Sequence, residues 1–552
     1  MSSLGFQTVY KLLNNIENVV CERAFLPHDT GRIITAESGR LVSEFDIIAF
    51  SVSYENDYLN LLTILQKAKL PLLADHRENS HPLVVAGGVA CILNPEPIAS
   101  FIDCFLIGEA ENLVPRFTEC INDAGWTLSS SQNRKSCLKH LAGNVPGAYV
   151  PEFYRDTFHA DGTLCSFEPL NDAPAMIERI YSKDLSNVQT CSAILTPDTT
   201  FERVFLTEVG RGCPHGCRFC SAGYVFRPPR FRPVPFLEEC IKQGREQFAG
   251  EIGKMAAKDN RERAKAVPFK VGLVGAAVSD LPGIAELCGL INQEDTSISF
   301  SSLRADALSP EIVSALRQSR VKTATIAPDA GSERMRKVIN KGITEENVLN
   351  ACETLVLSGI MNLKLYFMIG LPTETADDVE AIVELCRRIK QRFLESSRTR
   401  KKIGEITVSL NSFVPKPVTP FQWAAMDDVG TLKKKISIVK KGLKKTANVR
   451  VHADIPRHAR IQALLSRGDR RVGDILSAAL FYNGNWARTL KESDVSPDYY
   501  IHRERDTDEL LPWDFIDHGI KKSFLEQEFK KAKQGKISLP CRMDSCNICG
   551  VC

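Results

Sequence analysis

The chain has 552 residues, of which 43% are hydrophobic and 25% are charged, and its formal net charge is +3. This composition is typical of a folded globular protein and excludes a fibrous or intrinsically disordered chain. The length exceeds what one hydrophobic core supports, so several domains are expected, and the small net charge does not by itself indicate a nucleic-acid partner.

The N-terminal sequence has no basic stretch followed by an apolar one, and no apolar run approaches the roughly 18 residues of a membrane span. We therefore expect a cytoplasmic protein with no membrane partner. Eighteen cysteines are present, and most stand singly among apolar residues, as is typical of reduced, buried thiols. Seven of them instead form two close groups, one in the middle of the chain and one at its C-terminus.

Short apolar runs alternate with helical patterns in the first region. The runs begin at Phe45, Pro82 and Cys104, and they are continuous, which is typical of strands buried on both faces of a parallel sheet. Residues 1–195 are therefore predicted to form a doubly wound, Rossmann-like α/β domain. Gly87 and Gly88 end the second run, where either a cofactor passes close to the backbone or a tight strand-to-helix turn needs them.

A second series of strand–helix repeats follows. Its apolar runs begin at Val204, Phe269, Ser297, Thr323, Leu363 and Ile406. Because a closed barrel of this kind has eight repeats, these six predict a partial (βα)6 barrel, open on one side, over residues 196–430.

The last region, residues 431–552, is predicted to be mainly helical and to end in a cysteine-rich tail. Its stretch 431–471 contains thirteen Lys or Arg and only two Asp. Such a charge run is usually the solvated face of an amphipathic helix; the alternative is a dock for a polyanion such as RNA.

The middle cysteine group comprises Cys213, Cys217 and Cys220 in a C-x3-C-x2-C spacing. Three thiolates on one short loop suit three irons of a cubane cluster and leave the fourth iron without a protein ligand, as catalytic metals often keep one position open. The alternative is a structural zinc site, for which His215 lies inside the loop as a fourth ligand.

This spacing, with Phe219 before the third cysteine and at the end of the first strand of a partial barrel, resembles the radical S-adenosylmethionine (SAM) superfamily. The resemblance implies a [4Fe-4S] cluster on the three cysteines and SAM bound to the open iron. It further implies reductive cleavage of SAM to a 5′-deoxyadenosyl radical, with electrons from a reductant such as flavodoxin or ferredoxin.

The same resemblance implies cofactor contacts on later strands. Ser302 and Arg304 on the third strand face the place where the ribose or carboxylate of SAM would lie, and Gly370 belongs to the turn against adenine. Asp329 stands where a Glu is commoner, and a salt bridge is the alternative role of both Arg304 and Asp329. The glycine-rich motif after the second strand lacks its usual acidic residue, and it consists of Gly275, Ala276 and Ala277.

Segments of the first region, among them "AFSVSYENDYLNLL" and "VVAGGVACILNPEPIASFIDCFLIGEAE", resemble the cobalamin-binding branch of this superfamily. The histidine motif D-x-H-x-x-G, whose histidine ligates cobalt, is absent, and "ADHRENS" at Ala74–Ser80 does not replace it. Two possibilities stay open. Cobalamin binds without that ligand, with Gly87 and Gly88 beside it, or the fold persists without the cofactor.

The C-terminal group comprises four cysteines in C-x4-C-x2-C-x2-C spacing, namely Cys541, Cys546, Cys549 and Cys552. Four cysteines in twelve residues predict a metal centre. A second iron–sulfur cluster is the first interpretation, because C-x2-C-x2-C is typical of ferredoxins, and zinc or thiol redox chemistry are the alternatives. We expect the tail to fold over the barrel near its open side or mouth.

The leading functional prediction is therefore an enzyme that generates a deoxyadenosyl radical and modifies an unactivated carbon, by cobalamin-dependent methyl transfer if cobalamin is bound. One rival is a radical RNA-modifying enzyme. Another is an electron-transfer or cluster-carrier protein that does not turn SAM over. The sequence identifies neither the substrate nor a catalytic side chain beyond the cofactor contacts.

Overall fold

The structure is a computed structural model, and it confirms the mixed α/β class. The residues that it describes are 3–27, 31–130, 132–196, 199–258, 268–292, 296–300, 303–398, 403–543 and 546–552.

The N-terminal region contains one four-stranded sheet in the order β1-β2-β3-β4. The first three strands are parallel, and β4 pairs antiparallel with β3. The apolar runs of the sequence predicted the first three strands. The strands are β1 (Ile47–Ser51), β2 (Leu83–Gly87), β3 (Cys104–Leu106) and β4 (Ala148–Tyr149).

The doubly wound prediction is wrong in one respect, the order of the strands. A doubly wound sheet reverses its strand order at a switch point, and cofactors bind in the crevice there. The described strands of this sheet instead follow chain order without a reversal. Apolar runs locate strands along the sequence, but their order in the sheet depends on how the crossover segments pack.

Short strands connect this sheet to the rest of the chain. A hairpin of β5 (Tyr154–Phe158) and β6 (Leu164–Pro169) follows β4. The next strand, β7 (Ile177–Glu178), pairs in parallel with Ile516–Asp517 near the C-terminus. The N-terminal and C-terminal regions are therefore joined by backbone hydrogen bonds.

All six strands predicted for the barrel region are present, and they form two parallel sheets joined by one parallel bridge between Leu303 and Ile326. The first sheet has the order β12-β11-β8 and the second begins β13-β14-β15. The strands of this region, with a two-stranded ribbon of β9 and β10, are β8 (Phe205–Glu208), β9 (Gly210–Arg211), β10 (Arg230–Phe231), β11 (Lys270–Val274), β12 (Ser297–Phe300), β13 (Thr323–Asp329), β14 (Asn362–Ile369) and β15 (Ile406–Ser412).

The sheet continues into a seventh parallel strand, which the sequence did not predict. This strand, β16 (Val449–Ala453), pairs along β15 and lies in the region expected to be mainly helical. Its residues are half-buried or exposed because it is the last strand of the sheet. An edge strand does not need the continuous apolar run by which the inner strands were recognised. The last described strand is β17 (Ile516–Asp517).

Helices connect the strands and make up most of the C-terminal region. Thr344 begins one of them with a capping interaction to Asn347. The helices are Leu4–Asn14, Tyr58–Lys67, Val89–Leu93, Ala110–Asp123, Arg134–Asn144, Val234–Lys258, Ile284–Asn292, Pro310–Gln318, Glu333–Val338, Glu345–Leu357, Ala376–Ser397, Val429–Leu443, Pro456–Arg467, Val472–Phe481, Trp486–Glu492, Pro497–Ile501 and Lys522–Lys533.

One cluster of buried apolar side chains runs through all three regions, from Phe105 in the first sheet through Leu363 in β14 to Leu476 in a C-terminal helix. The domain boundaries predicted at residues 195 and 430 stay predictions. Among the described helices, none combines the length and the apolar character needed to cross a lipid bilayer.

Candidate radical site at the barrel edge

The parallel strands bring the predicted cofactor contacts to one place. Strands β8 and β11 to β15 run in one direction, so their carboxyl ends share an edge, which we call the barrel edge. The segments that follow these ends carry the cysteine trio, Gly275–Ala277, Arg304, Asp329 and Gly370. The loops at the carboxyl ends of parallel strands are where α/β proteins bind their ligands.

The cysteine loop follows β9 through a turn that only glycine fits well. Gly212 has φ of +80°, and a Cβ there would lie 2.4 Å from the carbonyl oxygen of Phe226. Beyond it, the Cys220 N–H donates to the carbonyl of Cys217 (3.0 Å), so the last two cysteines close a tight turn. Cys217 is buried, and the other two thiols are half-buried.

The three thiols lie close enough to influence one another's ionisation. Burial, together with the neighbouring thiols, raises the pKa of Cys213 to about 12. Burial also raises the pKa of Cys217 to about 11, although Lys341 opposes this, and it raises the pKa of Cys220. A metal that binds these cysteines must displace their protons. Three mutually close thiols on one loop fit a cubane cluster, in which each cysteine binds a different iron.

Asp280 is a site residue that the sequence analysis missed. Its Oδ1 lies 2.8 Å from Nε2 of His215 inside the cysteine loop, and its Oδ2 is buried without a described partner. The second-strand motif Gly275–Ala277 itself contains no acidic residue. An acidic residue three positions later, in the 3-10 turn Val278–Asp280, is the signal that could have revealed it.

Positive side chains surround the buried cysteine. Lys341 forms an ion pair with Asp329 (2.5 Å), and Arg304 pairs with Asp306 (2.8 Å). Both cations act electrostatically on Cys217, which places the third- and fourth-strand loops beside the trio. Burial disfavours the charged form of Lys341, but Asp329 and Cys217 outweigh it and raise the pKa of this lysine.

The salt bridges proposed as alternatives for Arg304 and Asp329 are therefore present, and a cofactor role for either residue stays a prediction. Lys341 was not singled out from the sequence, where it lies twelve positions after Asp329 with no motif to mark it. Ser302, the remaining predicted contact of the third strand, lies outside the described residues.

The glycine-containing stretches have different surroundings. Ala276 is exposed just after β11, whereas Ala277 is buried. Gly370 has φ of +79°, and a Cβ there would lie 2.8 Å from Leu432, so this residue shapes the turn after β14. Its N–H donates to Glu374 (2.7 Å).

Arg218 fixes the cysteine loop from behind. This side chain is fully buried, and its guanidinium forms an ion pair with Glu528 of the C-terminal helix (3.0 Å). It also donates to the carbonyls of Val338 (2.9 Å) and Lys536 (2.8 Å). One arginine between two predicted cluster ligands thus ties the loop to the fourth-strand segment and to the chain that leads into the tail.

The tail reaches the cysteine loop directly. The N–H of Cys541 donates to the carbonyl of Pro214 (2.7 Å), and the N–H of Ser538 donates to the side chain of Asn340 (2.8 Å). Asn340 in turn donates to the carbonyl of Gly216 (3.1 Å). The tail therefore lies at the barrel edge, against the predicted cluster loop, as expected from the sequence.

The corresponding edge of the N-terminal sheet is filled by the chain itself. The Asn94 side chain, which follows the helix Val89–Leu93 after β2, donates to the carbonyls of Ser466 (3.1 Å) and Gly468 (2.8 Å). Beside it the buried Glu96 accepts from Arg470 (3.2 Å) and from Tyr149. The C-terminal helices thus cover the carboxyl ends of these strands, which we call the first-sheet edge.

The two glycines predicted to lie beside cobalamin have a packing role of their own. Gly88 has φ of +102°, and a Cβ there would lie 2.5 Å from the carbonyl oxygen of Val52, so the turn requires glycine for its own packing. His76 precedes β2 and is exposed at the opposite end of the strand. Among the described residues, the turn at Gly87 and Gly88 is therefore explained by its packing against Leu106 and Val52, and His76 does not lie at the first-sheet edge.

The basic stretch 431–471 is only partly a surface feature. Several of its cations form ion pairs within the fold. For example, Lys435 pairs with Glu374 (2.8 Å) and Arg470 pairs with Glu96. Arg467 is fully buried and donates to backbone carbonyls. The exposed remainder on and just beyond helix Val429–Leu443 consists of Lys433, Lys434, Lys440, Lys441, Lys444 and Lys445.

Comparison with known families matches both halves of this arrangement. The family "Radical SAM proteins, N-terminal" matches residues 5–151, and "Radical SAM superfamily" matches residues 207–386. The second match contains the cysteine trio and strands β11 to β14. The first match is to an N-terminal domain of radical SAM proteins and not to a cobalamin-binding domain.

Individual relatives differ in how much they share. An uncharacterized protein of Methanocaldococcus jannaschii is 32% identical over 436 residues, which cover 79% of this chain and 80% of that protein. A tRNA-2-methylthio-N(6)-dimethylallyladenosine synthase of Carboxydothermus hydrogenoformans is 23% identical over 45% of this chain and 56% of its own length. The solved radical SAM methyltransferase TsrM of Kitasatospora setae is 12% identical over 66% of this chain and 62% of its own, with a TM-score of 0.38.

Proposed function

We propose that this chain, which belongs to the radical SAM superfamily, binds a [4Fe-4S] cluster through Cys213, Cys217 and Cys220 and cleaves SAM reductively to modify an unactivated carbon of its substrate. The observation that carries this proposal is the convergence of the three thiols with Asp280, Lys341 and Arg304 at the barrel edge. When bound, the cluster supplies the electron that cleaves the sulfonium of SAM to a 5′-deoxyadenosyl radical.

The protein side chains hold the reactants in place. Asp280 has one carboxylate oxygen fixed by His215 and the other buried without a described partner, so it suits the ammonium group of the methionine part of SAM. Lys341 and Arg304 lie where they counter the negative charge of thiolates and of a carboxylate. Ala276, which is exposed just after β11, belongs to the same edge.

Cobalamin-dependent methyl transfer, the finer reaction expected from the sequence, is not included in this proposal. The side chains of Asn94 and Glu96 are bonded to the C-terminal region, and the turn at Gly88 is packed against Val52. These contacts support a scaffolding role for the N-terminal sheet.

The test is the formation of 5′-deoxyadenosine. Protein reconstituted anaerobically with iron and sulfide is incubated with SAM and dithionite, beside the variant C213A/C217A/C220A and the control Cys165→Ser. Residue Cys165 is exposed and belongs to neither cysteine group. We expect product from the wild type and from the control, and none from the triple variant.

The rival functions give different results in the same assay. An electron-transfer or cluster-carrier protein would load iron but form no 5′-deoxyadenosine. Equal product from the wild type and the triple variant would show that the trio does not bear the reactive cluster. Either result would overturn the proposal.

A second candidate, RNA as the substrate, rests on the six exposed lysines described above. Four of them lie on the helix Val429–Leu443, whose other face, including Leu432, Ile436 and Val439, is buried, and Lys444 and Lys445 follow its end. A contiguous cationic face with no acidic residue on its helix attracts the phosphate backbone of nucleic acids. The tRNA-modifying relative, at 23% identity, adds support for this substrate class.

RNA binding is tested by filter binding of bulk tRNA over a range of salt concentrations. The variant K434E/K441E/K445E should bind more weakly and show a shallower salt dependence, because phosphate contacts release counterions. The control Lys139→Glu changes an exposed lysine of the N-terminal region and should bind as the wild type does. If K434E/K441E/K445E bound tRNA as tightly as the wild type and the control Lys139→Glu do, this helix would be excluded as the RNA surface.

A further inference from the structure

One carboxylate of the N-terminal region contacts both ends of the cysteine loop. The loop, residues 212–229, begins and ends at the ribbon of β9 and β10, in which Arg211 and Arg230 lie opposite each other. The side chain of Glu109, which follows β3, accepts from Arg211 (2.8 Å) and from Arg230 (2.7 Å). The three side chains are at most 9% exposed. The ends of the loop are therefore joined twice, by the pairing of the two strands and through Glu109.

The two arginines differ in how far they depend on Glu109. Arg211 also pairs with two other carboxylates, so its charge has further partners. Within the described part of the chain, Glu109 is the only carboxylate that pairs with Arg230, and the other hydrogen bonds of that guanidinium go to backbone carbonyls. Removal of the Glu109 charge would therefore leave a buried cation without an anion at the end of the cysteine loop.

A second buried carboxylate beside the same strand makes the same kind of contact but joins different parts of the chain. Asp103 immediately precedes β3 and accepts from two arginines of the N-terminal region, Arg77 (3.0 Å) and Arg134 (2.5 Å). Because Glu109 and Asp103 each bridge two arginines and are both at most 3% exposed, loss of either charge should lower the free energy of unfolding by a similar amount. Of the two, Glu109 reaches the cysteine loop.

We propose that Glu109 is a positioning residue for the cysteine trio, through which the N-terminal region fixes the geometry of the loop and the charge around its cluster. This inference rests on the proposed function, since it takes the trio as the ligands of the [4Fe-4S] cluster. The reduction potential of such a cluster depends on the net charge around it. Because a nearby negative charge disfavours the addition of an electron, loss of the Glu109 charge should shift the potential of the trio cluster to a more positive value.

The reduction potentials of two matched variants test this role. Wild type, Glu109→Gln and the control Asp103→Asn are reconstituted anaerobically with iron and sulfide, and the reduced cluster is followed by electron paramagnetic resonance in a redox titration. The signal of the trio cluster is the one that C213A/C217A/C220A lacks. Both variants should lose thermal stability. We expect a more positive potential in Glu109→Gln and the wild-type potential in Asp103→Asn.

Turnover gives a second readout of the same variants. The rate of 5′-deoxyadenosine formation per trio cluster should fall about 10- to 100-fold in Glu109→Gln, the usual effect of removing a group that holds metal ligands in place. It should not change in Asp103→Asn. A third variant, Arg230→Met, removes the cation at the other end of the contact. Its potential should shift in the opposite direction, to a more negative value, because a positive charge is lost beside the loop.

Equal potentials and equal turnover per cluster in Glu109→Gln and Asp103→Asn would overturn the proposal, because Glu109 would then contribute to stability alone. If Glu109→Gln did not fold, Arg230→Met would decide, and a wild-type potential in that variant would overturn the proposal. Failure of the proposed function has a different signature. In that case the wild type itself would lack the trio signal or would form no 5′-deoxyadenosine.

Discussion

The barrel edge and the first-sheet edge, both formed by the carboxyl ends of parallel strands, differ in what occupies them. At the barrel edge the loops beyond the strands carry three thiols, Asp280 and Lys341, and part of this polar surface lacks a partner within the described protein. At the first-sheet edge the equivalent polar groups, Asn94 and Glu96, are bonded to the C-terminal region. The carboxyl edge of a parallel sheet is a place where a ligand can bind, and the rest of the chain decides whether one does.

The largest expected effect comes from removing the cation of an ion pair at the first-sheet edge. Arg470→Met leaves Glu96 buried without its cation, and loss of one partner from a buried ion pair costs about 3–5 kcal/mol. The free energy of unfolding, measured by urea denaturation, should fall by that order. The amount of 5′-deoxyadenosine formed per folded molecule should stay the same, because the Arg470 side chain donates to Glu96, Tyr149 and Tyr154 of the N-terminal region.

The loss of unfolding free energy in Arg470→Met should depend on pH. Burial raises the pKa of Glu96 despite the neighbouring arginine, so the folded protein binds a proton on this carboxyl more readily than the unfolded chain does. A raised pKa in the folded state favours folding at low pH, and this advantage is lost as pH rises through the folded pKa. Arg470→Met should therefore be less destabilised at pH 5 than at pH 8. A deficit that grows as pH falls would contradict this account of Glu96.

A smaller effect, on SAM binding, is expected from substituting Asp280 at the barrel edge. Asp280→Asn removes the charge proposed to bind the ammonium group of SAM, and a hydrogen bond to a charged group contributes about 1.5–3 kcal/mol. Equilibrium binding of SAM to the iron-loaded protein should weaken by about tenfold to a hundredfold. Iron content and thermal stability should not change. Unaltered SAM affinity would remove Asp280 from the site.

Two glycine substitutions give the smallest but most closely matched contrast. Gly212 and Gly88 both have positive φ and both face a backbone carbonyl, that of Phe226 at the barrel edge and that of Val52 at the first-sheet edge. A left-handed conformation costs an alanine about 1–2 kcal/mol, before the clash of its Cβ is added. The control Gly143→Ala has open space around the added methyl group.

The melting temperature and the bound iron should respond differently in these three glycine variants. Gly212→Ala should lower both the melting temperature and the iron bound per chain, because it displaces the cysteine loop. Gly88→Ala should lower the melting temperature alone, and Gly143→Ala should lower neither. A loss of iron in Gly88→Ala equal to that in Gly212→Ala would show that the two edges are not independent.

Much of the barrel edge was predictable because its chemistry is local in the sequence. The cysteine spacing and the six apolar runs place the trio and its strands. Asp280 and Lys341 were missed because they enter the site through turns, and no spacing rule links them to the cysteines. The edge strand β16 was missed because its half-exposed residues lack a continuous apolar run.

The contacts that cover the first-sheet edge could not be predicted from the sequence, for a different reason. Asn94 binds carbonyls more than 370 positions away, and such a contact leaves no local pattern in either segment. The same holds for the basic stretch 431–471, where Arg467 and Arg470 look like surface charges in the sequence but are buried or paired in the fold. Charge counts do not distinguish a cation in solvent from one that joins two regions.

The contrast between the two edges is tested most directly by offering both ligands to one sample. Iron-loaded protein is dialysed to equilibrium against SAM and hydroxocobalamin together, and the bound amount of each is measured per chain. The account predicts that the wild type retains SAM and that C213A/C217A/C220A does not. It also predicts that a well-folded preparation retains no cobalt, and that His76→Ala gives the same result. Stoichiometric cobalamin on the wild type, or retention of SAM by the triple cysteine variant equal to that of the wild type, would contradict it.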